Sequence, residues 1–196
     1  MRAGFRLSLP TMKNSLIQNH GGTGEPSSWV RRFSSLIPAG GRVLDLACGA
    51  GRHARYLAEC GFPVLAVDRD EAALAALSDV PGVTTLRADL EGGVWPLASE
   101  VFAGIVVTNY LWRPLMPFLM ASLDKGGVLI YETFMLGNER FGKPANPAFL
   151  LRKDELRFVV RGHLDIVAFE QGVVETPRPM VIQRICATRL AELRLP

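Results

Sequence analysis

The sequence predicts a single α/β domain built on a doubly wound, largely parallel sheet. Three observations predict it. Short apolar runs alternate with helical stretches over some 110 residues, beginning near Val43. Glycines 49 and 51 punctuate the turn after the first run. Polar residues suited to holding a ligand (Asp68, Asp89 and Asn109-Tyr110) fall where successive runs end. The size agrees, since 196 residues suit about one domain. With 48% hydrophobic and 21% charged residues the composition excludes wholesale disorder.

The elements follow in order. Residues 1–26 read as a flexible N-terminal segment and 27–196 as the domain; translation could also begin at Met12 rather than Met1. After Pro26-Ser27-Ser28, the residues Trp29, Phe33, Leu36 and Ile37 recur at helical spacing, and Pro38 with Gly40-Gly41 stops the helix. Val43–Cys48 is a buried strand with one acid inside it, Asp45. A helix runs from about Arg52 to Cys60, closed by Gly61. Pro63–Val67 is the second strand, and Asp70 caps a helix reaching about Ser78. Val83–Ala88, Phe102–Thr108 and Val128–Thr133 are the next strands, with a helix at Leu115–Leu123. The polar loop Met135–Pro147 is long enough to be a lid. A helix (Phe149–Val160) and two β-runs, Leu164–Val174 and Met180–Thr188, complete the chain; their short join suits antiparallel pairing.

Several function classes drop out. No uncharged apolar run reaches the roughly 18–20 residues of a membrane span. The net charge is +3 and the basic residues are scattered, so no nucleic-acid-binding stripe is expected. Cys48, Cys60 and Cys186 lack CxxC spacing and read as reduced thiols of a cytoplasmic protein, with neither a disulfide framework nor a metal site. Oligomeric state has no signature.

The turn Asp45–Gly51 carries the chemistry. Small residues let the backbone approach a ligand, and the following helix offers free amides. Two cofactors compete for it. Gly49-Ala50-Gly51-Arg52-His53-Ala54 satisfies a dinucleotide pattern, and Asp68 stands near the expected separation for a ribose-binding acid. That reading makes the chain an NAD(P)-dependent oxidoreductase. Asp45 argues against it, because a carboxylate repels a pyrophosphate but suits a cation such as the sulfonium and ammonium of S-adenosylmethionine.

Val43–Gly51 (VLDLACGAG), Val64–Asp68 (VLAVD) and Arg87–Leu90 (RADL) resemble motifs I to III of class I S-adenosylmethionine-dependent methyltransferases. The chain is most similar to the small single-domain TehB-like (tellurite-resistance-type) group. The resemblance implies a Rossmann-like sheet of seven strands in order 3-2-1-4-5-7-6, with strand seven antiparallel. It implies S-adenosyl-L-methionine as cofactor, held by Asp45, Ala47, Gly49 and Gly51 along the methionine and ribose. Asp68 would take the ribose hydroxyls, Arg69 would lie beside the adenine, Asp89 and Leu90 would hold its edge, and Asn109 would floor the transfer site. Ala47 stands where the motif often has glycine. Asn109-Tyr110-Leu111-Trp112 lacks the prolines of exocyclic-amine methyltransferases, which disfavours a nucleobase acceptor. The expected acceptor is a small molecule, with a thiol or reduced chalcogen in view because a soft nucleophile needs little proton-transfer help. Tyr110 and Glu132 are the candidate catalytic groups. A non-catalytic S-adenosylmethionine-binding module is the remaining alternative.

Overall fold

The computed structural model describes residues 24–189. The expectations placed on residues 1–23, the flexible segment and the start at Met12, lie outside the described residues. Strands β1 (Val43–Leu46), β2 (Val64–Asp68), β3 (Val83–Arg87), β4 (Phe102–Thr108), β5 (Leu123–Phe134), β6 (Asp165–Val174) and β7 (Met180–Thr188) form one sheet. Its order is β3-β2-β1-β4-β5-β7-β6. β1 pairs in parallel with both β2 and β4, and β7 runs antiparallel to both β5 and β6. The expected topology therefore holds, and the order reverses direction at β1 and β4, where such sheets bind ligands.

Strand alternation sorts the core into two layers. Val43, Val64, Ala66, Val106, Val128 and Ile130 pack with α1 (Ser28–Phe33), α2 (Arg52–Glu59) and α3 (Glu71–Ala75). Leu44, Leu46, Leu65, Val67, Ile105, Val107, Leu129 and Tyr131 face α4 (Met116–Ala121) and α5 (Glu155–Val160). Period-two alternation makes this division inevitable once both faces are covered. Trp29 anchors the first layer: it is 1% exposed and its indole donates to the Ile185 carbonyl at 3.2 Å.

The helices are shorter than the spacing predicts: α1 passes into a 3-10 turn at Ser34–Leu36, and α3 ends at Ala75 rather than near Ser78. α4 ends at Ala121 because Leu123 already pairs with Phe102, and the register shifts before Val128 pairs with Gly104. The stretch predicted as one helix from Phe149 divides into a 3-10 turn at Pro147–Phe149, a bridge from Leu151 to Met135, and α5. Asp154 is left-handed (φ 59°) and its side chain does not cap α5. The cap comes from β7 instead. Gln183, fully buried, accepts from the Leu156 amide at 2.7 Å and donates to the Arg152 carbonyl at 3.1 Å. The loop expected as a lid is also fastened: buried Asn138 accepts from the Val181 amide and donates to the Pro144 carbonyl.

Gln183→Leu would strand the Leu156 amide in the interior and remove the partner of the Arg152 carbonyl. A stability loss of about 1–3 kcal/mol is expected in urea unfolding, with α5 amides losing exchange protection first.

Candidate functional site

The site is built at the carboxyl end of β1, where the chain must turn sharply. Ala47 (φ 53°), Gly49 (φ 54°) and Gly51 (φ 76°) are all left-handed. Gly51 also has no room for a side chain, since a Cβ would lie 2.4 Å from both Leu77 methyls. The turn delivers the chain into α2, whose first amides are left without helical partners. Ala47 holds the left-handed conformation that glycine adopts more cheaply.

Asp45 lies beneath this turn and is 1% exposed. Its Oδ2 is buried with no hydrogen-bond partner. Burial pushes its carboxyl up to about 7, partly opposed by the Ala54 amide and the Arg52 charge, and Asp68 adds to the rise. Such a group favours a neighbouring cation or a proton. Asp68, at the end of β2, accepts from the Gly49 amide at 2.8 Å on one oxygen and from the Asp70 amide at 3.0 Å on the other. It thus ties the glycine turn to β2 while its remaining lone pairs stay available.

The remaining predicted residues fall around the same edge. Asp89 is exposed and accepts from the Glu91 amide at 3.0 Å, whereas the Leu90 side chain enters the core. Arg69 is half-buried beside β2. Asn109 is left-handed (φ 54°) and its amide donates to the Glu132 carbonyl at 2.9 Å. The Tyr110 hydroxyl is buried without a partner, and burial, with Glu91, Tyr131 and Asp89 nearby, pushes its ionisation far above the usual phenol range. Glu132 is engaged on both oxygens, taking a hydrogen bond from the Ser27 hydroxyl at 2.7 Å and an ion pair from Arg184 at 3.1 Å.

Ser27, His53, Thr108 and Arg184 join this site without having been predicted in it. His53 is 1% exposed, and burial followed by the Arg52 charge lowers its pKa to about 3, so the ring is neutral. Its Nε2 accepts from the Ser27 amide at 3.1 Å, which assigns the proton to Nδ1 and directs it to Thr108 Oγ1 at 3.3 Å. Thr108 and Arg184 each stand opposite Glu132 in the sheet register, a signal that strand alternation carries. Among the described residues, no cluster of metal-ligating side chains is found and no helix is long and apolar enough to cross a membrane. A groove between α4 and α5, lined by Arg113, Met116, Met120, Glu155, Val159 and His163, lies on the opposite face and shares none of these residues.

Comparison with known proteins gives consistent findings. Residues 43–125 match the family described as methyltransferase domain. YqeM of Bacillus subtilis (strain 168), which carries a methyltransferase name, is 43% identical over 47 residues, 24% of this chain and 19% of that protein. The chain thus spans about a fifth of this curated relative. Crystal structures share the fold. TehB from Haemophilus influenzae superposes with a TM-score of 0.71 at 20% identity, over 84% of this chain and 62% of that one. A TehB-like SAM-dependent methyltransferase from Corynebacterium glutamicum gives 0.60 at 21% identity, over 82% and 86%. The glycopeptide N-methyltransferase MtfA, complexed with sinefungin, gives 0.62 at 18% identity, over 89% and 91%.

The Asp45 carboxyl makes stability depend on pH. Unfolded, it titrates near 3.8; folded, near 7. The native state therefore binds the extra proton between those values, so stability falls as pH rises through that window and levels off above it. Asp45→Asn should flatten this fall and raise stability at pH 8 by about 2 kcal/mol, read by urea unfolding at pH 4.5 and 8 without ligand.

Proposed function

We propose, for a chain that carries a methyltransferase domain at residues 43–125 within the class I fold, that it binds S-adenosyl-L-methionine and transfers its methyl group to a small-molecule acceptor. The observation that carries this reading is the unpartnered oxygen of buried Asp45 beneath a glycine turn. A cationic ligand satisfies that oxygen, whereas the pyrophosphate of a dinucleotide is repelled by it. Gly49 lets the backbone approach the ligand while Gly51 allows the tight packing against Leu77 that holds the turn, and the first α2 amides suit the ligand's carboxylate. Asp68 retains acceptor capacity for ribose hydroxyls, and Asp89 with the Leu90 backbone borders the position of the adenine. Asn109 lies at the switch point, where the transfer floor would be.

The bound cofactor supplies an electrophilic sulfonium methyl; the chain supplies position and exclusion of water. Of the two candidates for proton transfer, Glu132 meets structural donors on both oxygens and Tyr110 holds its proton firmly. This supports an acceptor that arrives already nucleophilic, such as a thiolate or reduced chalcogen, rather than an alcohol needing a base.

Calorimetry tests the cofactor. S-adenosylmethionine or its demethylated product should bind and NAD(P)H should not; the reverse result defeats the reading. Binding without release of S-adenosylhomocysteine, across thiol, selenite, tellurite, amine and alcohol acceptors, would leave a binding module instead. Asp68→Ala should weaken cofactor binding more than tenfold, or about 1.4 kcal/mol. Because a cation favours ionised Asp45, affinity should rise as pH climbs from 6 to 8 and become flat in Asp45→Asn.

A further inference from the structure

The geometry points to Ser27 as a positioning residue that fastens the chain entering the domain across the start of α2 and the end of β5, with Glu132 as its anchor rather than a proton acceptor. The inference rests on the methyltransferase reading of the site.

Ser27 turns its amide and its hydroxyl toward this end, while its carbonyl accepts from the Arg31 amide within α1. Its Oγ accepts from the Trp29 amide at 3.1 Å, capping α1, and donates to Glu132 Oε1 at 2.7 Å. Its amide donates to His53 Nε2 at 3.1 Å. His53 contacts Thr108, and Thr108 stands opposite Glu132 in the β4–β5 register, so the contacts close into a ring. The ring joins the entering chain, α2, β4 and β5, and Arg184 adds β7. Its members are enclosed, with side-chain exposures of 13% for Glu132 and 18% for Arg184. One residue earlier in the chain than Pro26, the Glu25 carbonyl accepts from Arg52 at 3.5 Å. Residues 25–27 therefore lie over the first turn of α2, directly after the glycine turn proposed to cradle the cofactor. A wall held this way lowers the ordering cost of both ligands without touching the reacting atoms.

A simple helix cap predicts something different, and substitution separates the two. Ser27→Asp keeps an acceptor for the Trp29 amide but sets a carboxylate against Glu132. Ser27→Thr keeps both functions. Hydrogen exchange on the protein without cofactor reads the fastening directly. Protection at residues 25–29 should fall at least tenfold in Ser27→Asp and in Glu132→Gln and return in Ser27→Thr, with β4 and β5 amides as the folding control. Cofactor affinity should weaken roughly tenfold in both variants, KM should rise more than kcat falls, and the pH profile of kcat should keep its shape. Combining Ser27→Ala with Glu132→Gln should cost little beyond either alone.

Wild-type protection and affinity in Ser27→Asp would overturn the inference. So would a Glu132→Gln enzyme that loses more than a hundredfold in kcat, and one ionisation from its pH profile, at unchanged affinity. Since exchange is read without cofactor, unchanged protection in the variants condemns the fastening alone. Failure of the wild type to bind S-adenosylmethionine condemns the methyltransferase reading alone.

Discussion

The left-handed turn after β1 is the constraint from which the carboxyl edge of the sheet follows. Three residues in five, Ala47, Gly49 and Gly51, have positive φ, a path that L side chains enter at a cost of about 1–2 kcal/mol each and glycine enters freely. The turn ends β1 and starts α2 within a few residues. It leaves Asp45 covered from above and brings His53 back over β4. Leu77 fills the space where a Gly51 side chain would stand, so the region after α3 helps to lock the turn. The Gly49 amide, held by Asp68, locks it from the β2 side. Opening this turn would expose Asp45 and break the tie between the Gly49 amide and Asp68 at once.

Strand parity does the rest of the arranging. Val43 and Asp45, Ala66 and Asp68, Val106 and Thr108, Ile130 and Glu132 form four pairs, each two residues apart and so on one face. In every pair the first member packs with α1, α2 and α3, and the second is polar. Asp45 lies beside Ala66 and Val106, still within the core, and two residues further along Asp68, Thr108 and Glu132 stand at one level on β2, β4 and β5. Polar groups at that level meet the starts of helices and the entering chain rather than apolar neighbours. Their partners are donors at fixed positions: the Gly49 and Asp70 amides for Asp68, Ser27 and Arg184 for Glu132.

This explains which features were legible in the sequence. Alternating apolar runs, the glycine turn and the acids at strand ends are local patterns, and the resemblance to known motifs supplied the order of the strands. Ser27 was legible as part of a helix start, but its partner Glu132 lies 105 positions away, and no local pattern encodes that contact. His53 carries no local signal of its role, which comes from the Ser27 amide and Thr108, both distant in sequence. The start of α5 was misplaced for the same reason. Its cap is supplied by Gln183 on another strand, while Asp154, the residue at the capping position, is left-handed and faces Gln171. Helix spacing records the buried face of a segment and does not record which distant side chain ends it.

The distribution of charge at the edge bears on how catalysis would divide its work. Asp45 is the one predicted site carboxylate whose oxygen lacks a partner; Asp68, Asp89 and Glu132 all accept hydrogen bonds within the fold. On the proposed reading, a site organised this way would hold a cation at one point while its other acids are occupied with shape. Proton abstraction would require one of those acids, or Tyr110, to abandon its present surroundings. Transfer to a nucleophile that is already deprotonated would require no such change, only that the ends of β1, β4 and β5 stay in register across the switch point. The physical demand on the fold is then geometric, and it falls on the β1 turn and on the contacts that fasten the entering chain to α2 and β5.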